Sequence, residues 1–176
     1  MKPNIDLTEK SRGSAVTILN RLLADEVVLG AKARNCHWNV TGPHFHDLHE
    51  QFGSQYDALD GILDEMAERA RALGGHAVGT LTEFLNLARL KEQPGKYPNG
   101  SEMTLQLLAG HEALIRQLRA DVELCGTKLG DAGTTDFLTG VMEQHEKMAW
   151  MLRAILEQNN QVQANGAIKP LARRSK

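Results

Sequence analysis

The segment from Asp47 to Leu73 keeps the residue spacing of an α-helix over its whole length and contains no proline. Asp47 and Glu50 have the spacing of a capping box, and the pair Gly74-Gly75 is a natural helix end. The apolar residues that recur every three or four positions are Phe52, Tyr56, Leu59, Leu63, Met66 and Ala70. We therefore predict one helix of about seven turns, opening at Asp47.

Three other segments share this periodicity and are separated by helix breakers. The four predicted long helices cover about 8–40, 47–74, 101–126 and 135–159. The first stops before Pro43, and Ser101 is the predicted cap of the third. A short helix is predicted at 80–90, inside the long connection that ends in the breaker-rich stretch 94–100. This order predicts an all-α, ferritin-like four-helix bundle with a short extra helix in the crossover.

Length and composition predict one soluble domain. The chain has 176 residues, of which 41% are hydrophobic, and its net charge of -2 argues against a protein that binds polyanions with its whole surface. Cys36 and Cys125 lie in separate predicted helices without a CxxC pair, which indicates a reducing compartment. No signal peptide and no apolar run of about 18 residues is present, so we predict a cytoplasmic protein without membrane contact.

The two ends of the chain differ from the bundle. We predict a tail at 1–8, the four-helix domain at 9–160 and a mobile basic tail at 161–176. The last of these contains no acidic residue, and its cations are Lys169, Arg173, Arg174 and Lys176. Several such tails on one assembly would bind DNA by neutralising phosphates, or the tail serves only to keep the protein soluble. The sequence leaves both roles open.

Four residues near the first two helices are candidate metal ligands: His37, His49, Asp64 and Glu68. Imidazole and carboxylate donors together suit iron. Asp64 and Glu68 are four residues apart and therefore share a helical face, while His37 and His49 flank one turn and converge there. We interpret each pair as part of a metal site.

The two pairs lie too far apart to hold one ion in a single chain. His49 and Asp64 are 15 residues apart, and at about 1.5 Å per residue this is roughly 22 Å along the helix. A two-fold dimer with antiparallel helices would bring His37 and His49 of one chain to Asp64 and Glu68 of the other. The rival is a di-iron site inside one bundle, which uses Glu-x-x-His pairs, and no histidine here has an acidic residue three positions before it.

The segments NCHWNVTGPHFHDLHE at 35–50 and LDEMAERARALGG at 63–75 resemble the paired signatures of the Dps family, also called mini-ferritins. The likeness covers nearly all of 8–160. It implies a hollow shell of twelve subunits that oxidises Fe(II) with hydrogen peroxide or oxygen, stores the ferric product and protects the cell and its DNA. In that family the residues matching His37, His49, Asp64 and Glu68 are the ferroxidase ligands.

One position departs from the family pattern. Four residues after His49 the family usually has an aspartate, and here that position is Gly53. His145 lies in a stretch, MEQHEKMAW, that resembles a subgroup with extra histidines at the ferroxidase centre. We consider it as a substitute ligand, which would favour zinc as well as iron, and its alternative is a buried core histidine. The alternative function is a DNA-compacting, nucleoid-associated shell with little ferroxidase activity.

The resemblance also assigns roles to residues near the predicted site. Trp38 adjoins His37 and is the candidate electron donor, whereas Trp150 is predicted to pack in the core. Asp131 and Asp136 match a region that lines iron pores, and helix capping is their alternative role. The histidines predicted to lie in loops or on the surface are His44, His46, His76 and His111.

Overall fold

The computed structural model describes residues 2–166, and it describes the side chains of residues 2–157. Within this range every regular element is a helix. The elements are α1 (Glu9–Asn39), α2 (Phe45–Ala72), α3 (Leu81–Leu87), α4 (Gly100–Leu124), a π-helical turn (Cys125–Leu129) and α5 (Ala132–Gly166). Helix α1 packs along α2, α4 packs along α5, and α3 lies against α1 in the crossover. The predicted four-helix bundle is confirmed.

Helices α2 and α4 begin at residues other than those predicted. Helix α2 begins at Phe45, and its N-cap is His44, whose backbone is left-handed with a φ of 63° and whose side chain caps nothing. Asp47 therefore lies in the first turn, where its negative charge still favours the helix dipole. Helix α4 is capped by Asn99, whose side chain accepts from the backbone N–H of Glu102, so the cap predicted at Ser101 is wrong.

Helix α5 is longer than the predicted 135–159 at both ends. It begins earlier because the carboxylate of Asp131 accepts from the backbone N–H of Thr134 at 2.9 Å and from its hydroxyl at 2.6 Å. Its last residue, Gly166, lies beyond the predicted domain boundary at 160. The basic tail proposed for 161–176 falls mostly outside the described residues, and it stays a prediction.

A buried carboxylate fixes the crossover against α1. Asp25 is only 1% exposed, and it accepts from the backbone N–H groups of Arg89 at 2.6 Å and Leu90 at 3.0 Å. The guanidinium of Arg89 donates a further hydrogen bond at 2.7 Å. These bonds satisfy the carboxylate and hold the end of α3 close to the middle of α1.

The interior of the bundle is mainly apolar, and it contains a group of buried polar side chains that contact one another. Leu19, Leu22, Phe52, Leu107 and Leu118 are among the fully buried residues from three of the helices. No helix between residues 2 and 166 is both long and apolar enough to cross a membrane. The members of this polar group are Glu26, Gln55, His111 and His145, all at most 1% exposed.

Candidate metal centre

His37 and His49 form a stacked pair where α1 ends and α2 begins. The Nδ1 atom of His37 lies 2.7 Å from the carbonyl oxygen of His49, and the Nδ1 atom of His49 lies 2.9 Å from the carbonyl oxygen of His37. A carbonyl oxygen only accepts, so both Nδ1 atoms carry a hydrogen. In the neutral rings both Nε2 atoms are then unprotonated, which is the state that binds a metal ion.

The turn between the helices is what makes this pairing possible. Gly42 adopts a φ of 90° and His44 a φ of 63°, so the chain reverses within five residues and returns α2 beside the last turn of α1. The two imidazole ring centroids are 3.7 Å apart, and Phe45 stacks on the outer face of His49 at 5.3 Å. We call His37 and His49 the histidine pair.

The ring of His37 lies directly over Gly53. A Cβ atom at Gly53 would stand 3.2 Å from both Cε1 and Nδ1 of His37, a distance shorter than ordinary van der Waals contact. The glycine therefore opens the space that the ring occupies. Gly53 also contributes no carboxylate, so this end of α2 offers two imidazole nitrogen donors without a carboxylate beside them.

Asp64 and Glu68 lie on an exposed face of α2, one helical turn apart. Neither carboxylate forms a hydrogen bond or an ion pair with a residue whose side chain is described. We call them the carboxylate pair. The structure does not bring them to the histidine pair within one chain, and among residues 2–157 no three His, Cys, Asp or Glu side chains are arranged to hold a metal ion.

His145 lies in the bundle core and not beside the histidine pair. Its side chain is completely buried, and its two ring nitrogens are bonded to Glu26 at 2.9 Å and to His111 at 2.9 Å. A residue with no exposed surface and both nitrogens bonded is unsuited to a site shared with a second chain. The role of substitute ligand at Gly53 is therefore corrected, and the alternative of a core histidine is what the structure shows.

His111, predicted to lie in a loop or on the surface, is also fully buried. It joins a core chain in which each bundle helix supplies one residue: Glu26 from α1, Gln55 from α2, His111 from α4 and His145 from α5. The Nε2 atom of His111 lies 3.4 Å from the side-chain oxygen of Gln55, and its Nδ1 atom faces the Nδ1 atom of His145. Burial, and then the neighbouring His145, hold the pKa of His111 well below its usual value.

These contacts define where the hydrogens of the core chain lie. The Gln55 oxygen only accepts, so the Nε2 atom of His111 donates, and a neutral His111 must then accept at Nδ1. His145 therefore donates to it from its own Nδ1 atom, and its Nε2 atom shares one hydrogen with the carboxyl group of Glu26 at 2.9 Å. The second carboxylate oxygen of Glu26 has no hydrogen-bond partner among the described residues.

The core chain could have been found in the sequence from polar residues on apolar helix faces, although no metal-binding motif includes them. Glu26 stands on the apolar face of α1 between Leu23 and Leu29, where a leucine would fit the pattern. His111 has the same relation to its leucine neighbours in α4. A polar residue on the buried stripe of a helix needs a partner from another helix.

Both tryptophans are exposed in this chain. Trp38 is 70% exposed beside the histidine pair, and Trp150 is 60% exposed on α5. The prediction that Trp150 packs in the core is therefore wrong for the single chain. Asp131 is committed to capping α5 and to an ion pair with Arg69 at 2.9 Å, so of its two predicted roles the structure shows the capping one.

Comparisons with known proteins agree with the helical-bundle fold. A family model for the ferritin-like domain matches residues 16–162. A low temperature-induced protein of Nostoc sp. is 44% identical over 163 residues, which are 93% of this chain and 90% of that protein. DNA protection during starvation protein 2 of Bacillus anthracis is 37% identical, over 81% of this chain and 97% of that protein. The crystal structure of a Vibrio cholerae DPS protein, described as a member of a superfamily of ferritin-like diiron-carboxylate proteins, has a TM-score of 0.82 at 32% identity, covering 88% of this chain and 96% of that one.

Proposed function

Because the chain belongs to the ferritin-like family and, within it, to the Dps proteins, we propose that it oxidises Fe(II) and stores the ferric product inside a shell of twelve copies. One observation carries the proposal. Among residues 2–157, the Nε2 atoms of the histidine pair form no hydrogen bond at one end of α2, and the carboxylate pair has no partner at the other end. Each pair is half of a ligand set for one iron ion.

The two halves meet when two chains pack with their α2 helices antiparallel. His37 and His49 of one chain then face Asp64 and Glu68 of its copy, and the two-fold axis generates a second, identical site. The carbonyl oxygens that hold each Nδ1 hydrogen fix the direction of the Nε2 lone pair, as outer partners of metal-binding histidines do. Bound in this way, Fe(II) is the substrate, and it gives electrons to hydrogen peroxide or oxygen.

The ligand set of two imidazoles and two carboxylates suits zinc as well as iron. We therefore expect zinc to compete with Fe(II) at this site and to slow its oxidation. Trp38, exposed beside the histidine pair, is the proposed electron donor when the iron alone cannot supply both electrons to peroxide. We place the protein in the cytoplasm, where removal of Fe(II) and peroxide together limits hydroxyl radicals.

The proposal is tested by replacing the ligands and following Fe(II) oxidation by absorbance. We expect His37→Ala, His49→Ala, Asp64→Ala and Glu68→Ala each to slow oxidation by about 10- to 100-fold while the particle mass stays unchanged. Glu65→Ala removes an exposed acid from the same helix and is the matched control. A quadruple variant that oxidised Fe(II) as fast as the parent protein would contradict the proposal.

The alternative function is a DNA-compacting shell with little ferroxidase activity. The observation that favours it is Gly53, which removes one carboxylate from the site. Compaction would depend on the basic tail, with its cations at Lys169, Arg173, Arg174 and Lys176. Gel retardation of plasmid DNA by the full chain and by a chain ending at residue 160 separates the functions. If both chains retard the DNA equally, the basic tail is not what binds DNA.

A further inference from the structure

The His37 ring is enclosed from more than one side by its own chain. The His49 ring covers one face at 3.7 Å, and the bare backbone of Gly53 lies beneath the edge that carries Nδ1 and Cε1. The half-buried ring of Tyr56 meets the His37 ring edge to face, with 5.3 Å between centroids and 78° between planes. Tyr56 is three residues after Gly53, so both contacts come from the same face of α2.

We propose that Tyr56 is a positioning residue for His37. Its ring limits the space that Gly53 leaves open around the His37 ring, and this contact fixes the direction of the metal-binding nitrogen. This inference rests on the proposed function, because it concerns the same histidine pair. The Cβ–Cγ bond and the hydrogen bond from Nδ1 to the His49 carbonyl hold one edge of the His37 ring, but a single hydrogen bond tolerates some tilt of the ring. Further contacts with the ring are needed to limit this tilt.

The aromatic ring of Tyr56 performs this role, and its hydroxyl is not needed. The hydroxyl forms no hydrogen bond with any residue whose side chain is described. The ring, in contrast, has a second contact: the guanidinium carbon of Arg34 lies 4.8 Å from its centroid. Arg34 is itself held by Asp60 at 2.7 Å. The guanidinium of Arg34 thus makes a cation–π contact with the Tyr56 ring and supports its position beside His37.

The contribution of Arg34 should be smaller and sensitive to salt. Arg34 and Asp60 are 36% and 55% exposed, and exposed ion pairs are screened by added salt. The packing between Tyr56 and His37 involves no ionised group and should not be screened. Salt therefore separates the two contacts experimentally.

The test uses Co2+ as the probe, titrated into the assembled full-length protein and followed by its visible absorption. We expect Tyr56→Leu to weaken Co2+ binding by about 10-fold, the lower end of the range for lost outer partners of metal ligands. Tyr56→Phe keeps the ring and should bring affinity back to within about 2-fold of the parent. Tyr97→Leu, at a tyrosine that is 67% exposed in the crossover, is the matched control and should change nothing.

Two results overturn the proposal. One is a Tyr56→Leu protein that binds Co2+ like the parent, and the other is a Tyr56→Phe protein as weak as Tyr56→Leu, which would assign the role to the hydroxyl. Tyr56 lies seven residues after His49 and eight before Asp64, so it falls close to the proposed two-fold axis. Particle mass is therefore measured for each variant, and a variant that dissociates is replaced by Arg34→Gln.

Arg34→Gln should weaken Co2+ binding by about 3-fold at low salt and have no effect at high salt. Its matched control is Arg153→Gln, which breaks the exposed ion pair with Glu112 at 2.8 Å elsewhere on the surface. An Arg34→Gln protein with the affinity of this control at low salt would also contradict the proposal. His37→Ala completes the set, because unchanged Co2+ binding in that variant would remove the proposed metal site itself, and not only the role of Tyr56.

Discussion

The imidazole of His37 occupies the place that a side chain at Gly53 would need, since a Cβ there would stand 3.2 Å from two atoms of the ring. The position of the His37 ring therefore depends on the absence of a side chain at a helical position. In the middle of a helix a glycine costs about 0.5–1 kcal/mol relative to alanine. Gly53 therefore lowers the stability of α2, and the position of the His37 ring in the histidine pair requires this glycine.

Gly53→Ala should lower metal affinity without lowering stability. The new Cβ pushes the His37 ring by a few tenths of an ångström and strains its bond to the His49 carbonyl, so we expect several-fold weaker Co2+ binding. The higher helix propensity of alanine offsets the cost of moving the His37 ring, so the temperature of thermal unfolding should not fall. Gly13→Ala, with nothing within 4 Å of its Cβ, is the control and should stabilise α1 with no change in affinity. Equal affinities for the two variants would refute the packing argument.

Removing Glu26 should destabilise the fold without slowing iron chemistry. Glu26→Ala leaves the Nε2 atom of His145 buried without its hydrogen-bond partner, and an unsatisfied buried polar group costs about 1–3 kcal/mol. Replacing both Glu26 and His145 by leucine removes both polar groups and should recover most of that loss. Urea unfolding followed by circular dichroism measures these differences.

A substitution of His145 tests whether this residue takes part in iron oxidation. Because His145 is fully buried and bonded at both nitrogens, His145→Gln should oxidise Fe(II) at the parent rate per assembled shell. The comparison needs particles of verified mass, since destabilised subunits assemble less well. Slow oxidation by intact His145→Gln shells would return His145 to the list of ligands.

His111 should make stability fall in mild acid. Its pKa is lowered in the folded chain, so the unfolded chain binds a proton there more readily. The contribution of His111 to stability is fully present above the unfolded pKa of about 6.5 and is lost as pH falls towards the lowered folded pKa. We expect the unfolding free energy to decrease from pH 7 to pH 5, and to decrease less in His111→Gln.

The slope with pH, and not the absolute stability, is the quantity to compare for His111, because the substitution also alters packing. The exposed His46 provides the control, since His46→Gln should leave the slope of the parent protein unchanged. Parallel pH profiles for the parent and His111→Gln would contradict the lowered pKa.

Asp131→Ala should shorten α5 at its start. It removes the acceptor for the Thr134 N–H and the partner of Arg69, and loss of a cap costs about 0.5–2 kcal/mol. Asp136→Ala, at an exposed position in the same helix, is the matched control. Hydrogen exchange of the first turn of α5 reports the effect directly. Unchanged protection in Asp131→Ala would show that another group caps the helix.

The positions of the histidine pair and the carboxylate pair could be predicted because contacts close in sequence decide them. Asp64 and Glu68 share a face by helical spacing, and the short turn at Pro43 brings His37 and His49 together. The distance along α2 keeps the two pairs apart within one chain, and the metal sites that they would form between two chains stay a prediction. Each of these steps depends on contacts close in sequence.

The core chain could not be predicted in the same way, because its contacts join different helices. Glu26 and His145 are 119 residues apart, and only the packing of α1 against α5 makes them neighbours. The left-handed backbone of His44 was missed for a related reason, since propensity favours Asp47 as a cap and the tight turn overrides it. The size of Trp150 predicts a place in the core, but its side chain on α5 is exposed.

The central claim is that each metal site takes its histidines from one chain and its carboxylates from another. The direct test is to co-express the double variants His37→Ala/His49→Ala and Asp64→Ala/Glu68→Ala and to purify mixed particles through two different tags. Each variant alone should be inactive. With random mixing half of the dimers are mixed and each regains one of two sites, so Fe(II) oxidation should return to about one quarter of the parent rate per chain. Mixed particles as inactive as the separate variants would contradict the claim.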